Sequence, residues 1–354
     1  MLDDIKNIKK IDSKNMLGSL QLLYKQVEQI YQESNYLEIP KSYKKVKNIV
    51  VFGMGGSALG AQVIKNVFAN NIKISLEIVN DYNVPKFVNN NTLAICSSYS
   101  GSTEEVLTVF EELKKRHAKI IVIAAGGKLA SFAKINKLPA LVFKTENNPC
   151  SSPRMGLGYS IFGQIILLNK IGILKISQKY FKEIVATIAF YDSFFGVLTP
   201  KKENIAKQLA EKMINFSVFY VASEHLVGNA HIAANQMNEN AKRFAAYFTL
   251  PELNHHLLEG MAYPESNKKN LFFVLFKSKN YFSRTQKRYD ITTKVLQKNQ
   301  IKNFVYETKE KDKILEMCEL LVLGSYVSYY LAILKKIDPT AIPYVDFFKK
   351  RMGN

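Results

Sequence analysis

The sequence predicts an α/β protein of two domains, each built on a mainly parallel sheet flanked by helices, with a C-terminal tail helix. Three observations carry this expectation. Short, unbroken apolar runs alternate with helical patterns, as expected when crossover helices bury strands on both faces. The alternation pauses at a polar stretch, 196–202, and then restarts. The chain has 354 residues, 47% of them hydrophobic, enough for each domain to bury its own core.

The elements follow in order. Residues 1–45 read as a helical segment, with Met16, Leu17, Leu20, Leu22, Leu23 and Val27 forming an apolar stripe. The first domain, 46–195, starts with the apolar run 48–52, which ends in Gly53-Met54-Gly55-Gly56-Ser57 and leads into a helix to about Phe68. Strands are predicted at 72–79, 92–96 and 119–125. Between the last two lies a helix, 103–116, with Val106, Leu107, Phe110 and Leu113 on one face. Glu104 and Glu105 at its start and Lys114, Lys115 and Arg116 at its end complement the helix dipole. A polar loop, 145–153, precedes a buried helix from about Met155. The second domain, 203–336, has predicted strands at 216–222, 271–276 and 303–306 and helices at 226–240, 283–298 and 311–335. Both halves share one rhythm, which points to an old duplication. Residues 337–354 form the tail, beginning at Asp338-Pro339.

Composition excludes several classes. The chain carries 49 Lys+Arg against 30 Asp+Glu, a net charge of +19, which suggests nucleic acid; yet only six of the basic residues are Arg, the side chain suited to phosphate and base recognition. The most basic segment, 264–302, interleaves Phe272, Phe273, Phe276, Tyr281, Phe282 and Tyr289 with lysines. A core strand beside a solvated helix explains it better than a single-strand binding surface, so no nucleic-acid partner is expected. Cys96, Cys150 and Cys318 are isolated, and the five histidines show no zinc-type spacing, so neither a disulfide framework nor a metal is expected. The first residues mix acids with lysines and lack a signal peptide's apolar core. The uncharged runs 155–169 and 320–334 fall short of the roughly 18–20 residues of a membrane span. A cytoplasmic protein without membrane contact is the expectation.

Two motifs carry chemistry. Gly53-Met54-Gly55-Gly56-Ser57-Ala58, after a strand and before a helix, fits G-x-G-x-x-G/A, and Asp81 lies where a ribose-binding acid is expected, so a dinucleotide site is one reading. The same turn serves any anion at a helix N-terminus, or none. After strand 92–96, the stretch Ser97-Ser98-Tyr99-Ser100-Gly101-Ser102-Thr103 gathers hydroxyl donors at a helix entry. One or two would be ordinary caps; the cluster is a cradle for a phosphate monoester, which a dinucleotide dehydrogenase does not need there.

At this point the sequence resembles the SIS-domain sugar isomerases, and among them the bifunctional phosphoglucose/phosphomannose isomerases. The resemblance rests on the Gly53 turn, on the Ser98–Glu105 loop, on Pro153-Arg154, on Asn238-Glu239-Asn240-Ala241-Lys242, on Glu252-Leu253-Asn254-His255, and on Asp338-Pro339 ahead of Lys349. It implies two SIS-type domains, a sugar 6-phosphate substrate, no cofactor, and aldose–ketose isomerisation through an enediol(ate), from glucose 6-phosphate and from mannose 6-phosphate. By motif, Gly56 and Ser57 line the sugar, and Ser98, Ser100 and Thr103 hold the phosphate. Arg154 stabilises the enediolate, and Glu239 shuttles the proton between C1 and C2, a role that a partly buried carboxylate with a raised pKa can fill. His255 assists ring opening from the opposite subunit of a homodimer, with Lys349 as its partner. His256 and Lys350 are register-shifted competitors for these two positions.

Two other functions use the same features. A catalytically silent SIS protein would sense a sugar phosphate with the same loop but has no need for Glu239, His255 and Lys349 together. An NAD-dependent oxidoreductase would rest on the Gly53 turn alone.

Overall fold

The computed structural model describes residues 1–353. An N-terminal helical arm, α1 (Ile5–Ile11), α2 (Met16–Gln21) and α3 (Leu23–Glu33), leads into β1 (Asn48–Phe52), α4 (Gly55–Val67), β2 (Ser75–Val79), β3 (Thr92–Ser98), α5 (Glu104–Lys115), β4 (Lys119–Ala124), α6 (Gly127–Ile135) and β5 (Ala140–Val142). These five strands form one parallel sheet in the order β2-β1-β3-β4-β5. Its strands are apolar on both faces. Ile49, Val51, Leu93, Ile95, Ile121 and Ile123 join one core, while Val50, Phe52, Ala94, Cys96, Ile120 and Val122 pack with Val106, Phe110 and Leu113 of α5. That is why each strand reads as a continuous apolar run.

Helices α7 (Leu157–Lys170) and α8 (Gln178–Phe195) complete this half. The second half contains α9 (Ile205–Lys212), β6 (Ser217–Ser223), α10 (Val227–Ala241), β7 (Ala245–Leu250), α11 (Leu253–His256), α12 (Asn267–Asn270), β8 (Leu271–Lys277), α13 (Ser283–Lys298), β9 (Lys302–Glu307) and α14 (Lys313–Leu334). Its sheet, β7-β6-β8-β9, is again all parallel. The order is that of the first four strands of the other sheet, so the shared rhythm is matched by a shared topology. The tail helix, α15 (Pro343–Met352), closes the chain.

One core runs through both halves. A Cβ at Gly228 would lie 2.7 Å from the Val63 Cα, so the start of α10 rests on α4 at backbone distance. A Cβ at Gly324 would lie 3.2 Å from the Ala233 Cβ, and α14 therefore packs closely on α10. Helix α14 is the one described helix long and apolar enough to cross a membrane, and it is buried along nearly its whole length as the central helix of the second half.

Some elements differ from the sequence reading. Strand β2 begins at Ser75, three residues after the expected start. Strand β7 falls between the expected helix 226–240 and strand 271–276 and has no counterpart among the predicted elements: it is an edge strand opening with Ala245-Ala246, whose middle residues are only half-buried, so its apolar signal is weak. In the basic segment, Phe272, Phe273, Phe276, Tyr281 and Tyr289 are buried and only Phe282 of the six aromatics is largely exposed. Five of the six rings that could have stacked on bases are core.

Candidate active site

The register of the first sheet builds the site's floor. Phe52 pairs with Cys96, so the turn after β1 lies beside the end of β3. Gly55 has φ +48°, a left-handed conformation that a glycine adopts readily. Gly56 abuts the next segment: a Cβ there would lie 3.2 Å from the Pro153 carbonyl oxygen and 3.5 Å from the Arg154 Cα. Ser57 Oγ accepts a hydrogen bond from the Tyr99 N–H at 2.9 Å, and Ser160 Oγ donates to the Gly56 carbonyl at 2.8 Å. The glycine turn, the hydroxyl loop and the Arg154 segment are thereby locked together.

In the loop after β3, Ser98 Oγ and Thr103 Oγ1 are hydrogen-bonded at 2.7 Å, and Ser98 Oγ accepts from the Gly101 N–H at 3.0 Å. Ser100 Oγ accepts from the Ser102 N–H at 3.3 Å. Gly101 has φ +66°, and a Cβ there would stand 1.8 Å from the Gly126 carbonyl oxygen, so a side chain at 101 would push the loop off α6. Thr103 is the N-cap of α5, yet its side chain makes no capping bond and turns to Ser98 instead. The hydroxyls of Ser98 and Thr103 thus meet at the N-terminus of α5, with Ser100 in the same loop, donors of a kind suited to an oxyanion. A Cβ at Gly156 would lie 2.3 Å from the Tyr99 ring, so the glycine admits this ring over the start of α7.

Arg154 stands where the two halves meet, at 6% relative exposure. Its Nε donates to Asn240 Oδ1 at 2.7 Å, and its Nη2 donates to the carbonyls of Pro339 at 3.0 Å and Thr340 at 2.9 Å. Nη1 lies 3.4 Å from Glu239 Oε2. Burial draws the guanidinium pKa down, and the Glu239 carboxylate opposes the shift. Glu239, in the last turn of α10, has a half-buried side chain, and its burial raises the carboxyl pKa against the pull of Arg154, Lys349 and Lys242. The tail lysine whose charge acts on Glu239 is Lys349. Asn238 closes the turn to β7, donating to the carbonyls of Ala234 and Ala245, and Asn240 donates to Ser328 Oγ of α14 at 3.1 Å. The Asn-Glu-Asn triplet is therefore a carboxylate pinned between two structural amides.

Lys242, which closes the same motif, has no role that its residue type alone suggests. It caps α10 in the left-handed region, φ +49°, and its Nζ donates to the carbonyls of Asn240, Asp338 and Pro339 at 3.2, 2.6 and 3.2 Å. Burial and the nearby Arg154 bring its pKa down to about 8.

The histidines stand outside this hydrogen-bonded cluster. His255 and His256 sit on α11 and are exposed, and among the described residues neither side chain hydrogen-bonds to the Arg154–Glu239 cluster. His256 leans on Phe248, with ring centroids 6.5 Å apart. His225 is buried and paired with Glu316 at 2.5 Å, and Ser278 and Thr308 donate to the same carboxylate. Among the described residues no group of three His, Cys, Asp or Glu side chains is placed to hold a metal ion. A cavity of about 960 Å³ beside Phe68, Ile173 and Tyr180 shares no residue with the Arg154 cluster; a smaller one of about 170 Å³ lies between the glycine turn and α10, lined by Met54, Gly55, Asn80, His231 and Asn235.

The chain is similar to known proteins along nearly its whole length. Residues 42–140 match the family described as SIS domain, and residues 202–352 match the bacterial phospho-glucose isomerase C-terminal SIS domain. A bifunctional phosphoglucose/phosphomannose isomerase of Caldicellulosiruptor bescii is 30% identical over 344 residues, covering 96% of this chain and 99% of that protein. One from Aquifex aeolicus is 29% identical over 337 residues, covering 93% and 98%. Among solved structures, a hypothetical protein of Thermus thermophilus superimposes with a TM-score of 0.73 at 16% identity, covering 99% of this chain and 94% of that one, which shows a shared fold.

Proposed function

Since the chain belongs to the bifunctional phosphoglucose/phosphomannose isomerase family, we propose that it interconverts glucose 6-phosphate and mannose 6-phosphate with fructose 6-phosphate. The observation that carries this reading is the half-buried Glu239 carboxylate, its pKa raised, held 3.4 Å from the guanidinium of a buried arginine. A proton shuttle needs a base that can return its proton, and the adjacent cation must hold the charge that develops on oxygen.

Ser98, Ser100 and Thr103 hold the 6-phosphate at the α5 N-terminus, and Gly56 and Ser57 line the sugar. Glu239 takes the proton from C2 of the open-chain aldose as the C1 carbonyl becomes the enediolate oxygen, which Arg154 stabilises. The carboxylic acid then returns the proton to C1, while the hydroxyl proton moves from O2 to O1. Glucose and mannose 6-phosphates differ only at C2, so both lead to the same enediolate. His255, supplied by a second copy in a homodimer, and Lys349 of the tail serve ring opening. The exposure of His255 on α11, with no hydrogen bond to its own chain's cluster among the described residues, supports this assignment. The site lies between 46–195 and 203–336, which we take as the two domains, with 337–354 completing it. Three buried, unpaired cysteines favour a cytoplasmic setting.

A coupled assay supplied in turn with each aldose phosphate tests the proposal. Fructose 6-phosphate should form from both. Formation from neither, with a sugar phosphate still raising the melting temperature, would favour a sensor.

A further inference from the structure

Helix α15 carries Lys349 but buries none of its own residues, and Tyr344, Phe347 and Phe348 are all largely exposed. Packing along the helix therefore does not fix it. Its position is set at its root, Asp338-Pro339-Thr340, where Pro339 and Thr340 are buried. Arg154 supplies two of the bonds that hold this root. From the structure we infer that Lys242 and Ser13 are positioning residues that supply the others, and so set where Lys349 stands relative to Glu239.

Lys242 directs all of its hydrogen bonds to carbonyl oxygens, two of them in the root, at 2.6 Å from Asp338 and 3.2 Å from Pro339. Among the described residues it forms no carboxylate salt bridge, unlike a solvated surface lysine that pairs with an acid. The Pro339 carbonyl accepts from Lys242 and Arg154 together, so two cations grip one turn. The Lys242 backbone is left-handed, at a helix end where glycine is the common choice. Ser13 comes from the other end of the chain: its Oγ donates to Asp338 Oδ2 at 2.5 Å, while Asp338 Oδ1 accepts from the Thr340 N–H at 2.8 Å. The loop bearing Ser13 is itself fixed, because the neighbouring Asp12 accepts from the N–H groups of Met16 and Leu17 and from the Tyr329 hydroxyl of α14. The groups facing the Lys242 ammonium are Arg154 from the turn before α7, Asp338 from the root and Glu239 from α10. Titration of that ammonium near pH 8 would loosen the grip.

The inference rests on the ring-opening role read for Lys349, and a double-mutant cycle separates the two. Lys242→Met should lower kcat by about ten- to hundredfold, the range expected for losing charge-assisted hydrogen bonds, with KM and the affinity for an acyclic five-carbon aldonate phosphate changed less than about threefold. Lys242→Arg should restore most of the activity and move the alkaline fall in kcat upward. Ser13→Ala should cost about threefold or more. Because these residues act through Lys349, Lys242→Met combined with Lys349→Met should be no slower than Lys349→Met alone, compared on the pH plateau where Glu239 is fully ionised and the direct pull of Lys242 on it no longer matters. If Lys349→Met turns over normally, the reading of Lys349 fails. If Lys349→Met is impaired while Lys242→Met and Ser13→Ala are normal, or if the effects add, the positioning inference is overturned. If Lys242→Met does not fold, the exposed Ser13→Ala carries the same cycle.

Discussion

Replacing Arg154 with methionine removes the guanidinium while keeping much of its apolar volume, and the consequences separate into three readouts. For stability, the bonds lost are those to Asn240 Oδ1, Pro339 O and Thr340 O. Pro339 O keeps its Lys242 donor, so two buried acceptors are left without one. At about 1–3 kcal/mol for each orphaned acceptor, less the relief of no longer burying a cation, a net loss of roughly 2–4 kcal/mol follows. For catalysis, removing the group that holds the enediolate charge costs about 2.7–4 kcal/mol of transition-state stabilisation, a fall in kcat of roughly 10²–10³-fold. For pH dependence, the variant loses the strongest of the charges that oppose the raised Glu239 pKa, so the acid limb of kcat/KM should move to higher pH. The assay is fructose 6-phosphate formation from glucose 6-phosphate across pH, beside urea unfolding and binding of a sugar phosphate. A folded Arg154→Met variant with kcat within about threefold of the parent would refute the role assigned to the arginine.

Other perturbations follow from the same geometry. Glu239 must be ionised to take a proton and its pKa is raised, so kcat/KM of the unmodified protein should fall with decreasing pH through a value above that of an ordinary glutamate; a fall only at or below about 4.3 would contradict this. Gly101→Ala should weaken sugar phosphate binding by about tenfold or more, seen as a raised KM and a smaller ligand-induced shift in melting temperature, because the new methyl group would collide with the Gly126 carbonyl and displace the hydroxyl loop. Lys207 is fully buried in α9, with Nζ donating to the carbonyls of Val197 and Thr199 and to Asp3. Lys207→Met should therefore lower stability by about 2–4 kcal/mol in urea, with KM for the sugar phosphates unchanged.

The parts of the fold that were legible in the sequence are those written locally. Both sheets announce themselves because their central strands are apolar on both faces, and the hydroxyl loop is visible as a dense run of Ser and Thr at a helix entry. Strand β7 was not visible, since an edge strand beginning with two alanines lacks a strong pattern. The architecture around Arg154 could not be read residue by residue. Its partners Asn240, Pro339 and Thr340 are 86 to 186 positions away, and nothing in a helix-entry arginine says that its bonds end on a C-terminal turn. The anchoring of the same turn by Ser13, across 325 positions, was equally hidden. The His225–Glu316 pair shows the converse: a histidine with no sequence motif is absorbed by a buried carboxylate in the second half.

If Glu239 carries the proton between C1 and C2, both carbons depend on its carboxylate, and Glu239→Gln with glucose 6-phosphate and fructose 6-phosphate in deuterated water, followed by NMR, reads that dependence at the reacting atoms. The variant should show no isomerisation and no deuterium at C1 or C2, while a sugar phosphate raises its melting temperature as it does in the unmodified protein. Turnover near that of the unmodified protein, or continued exchange of deuterium into those carbons, would contradict that dependence.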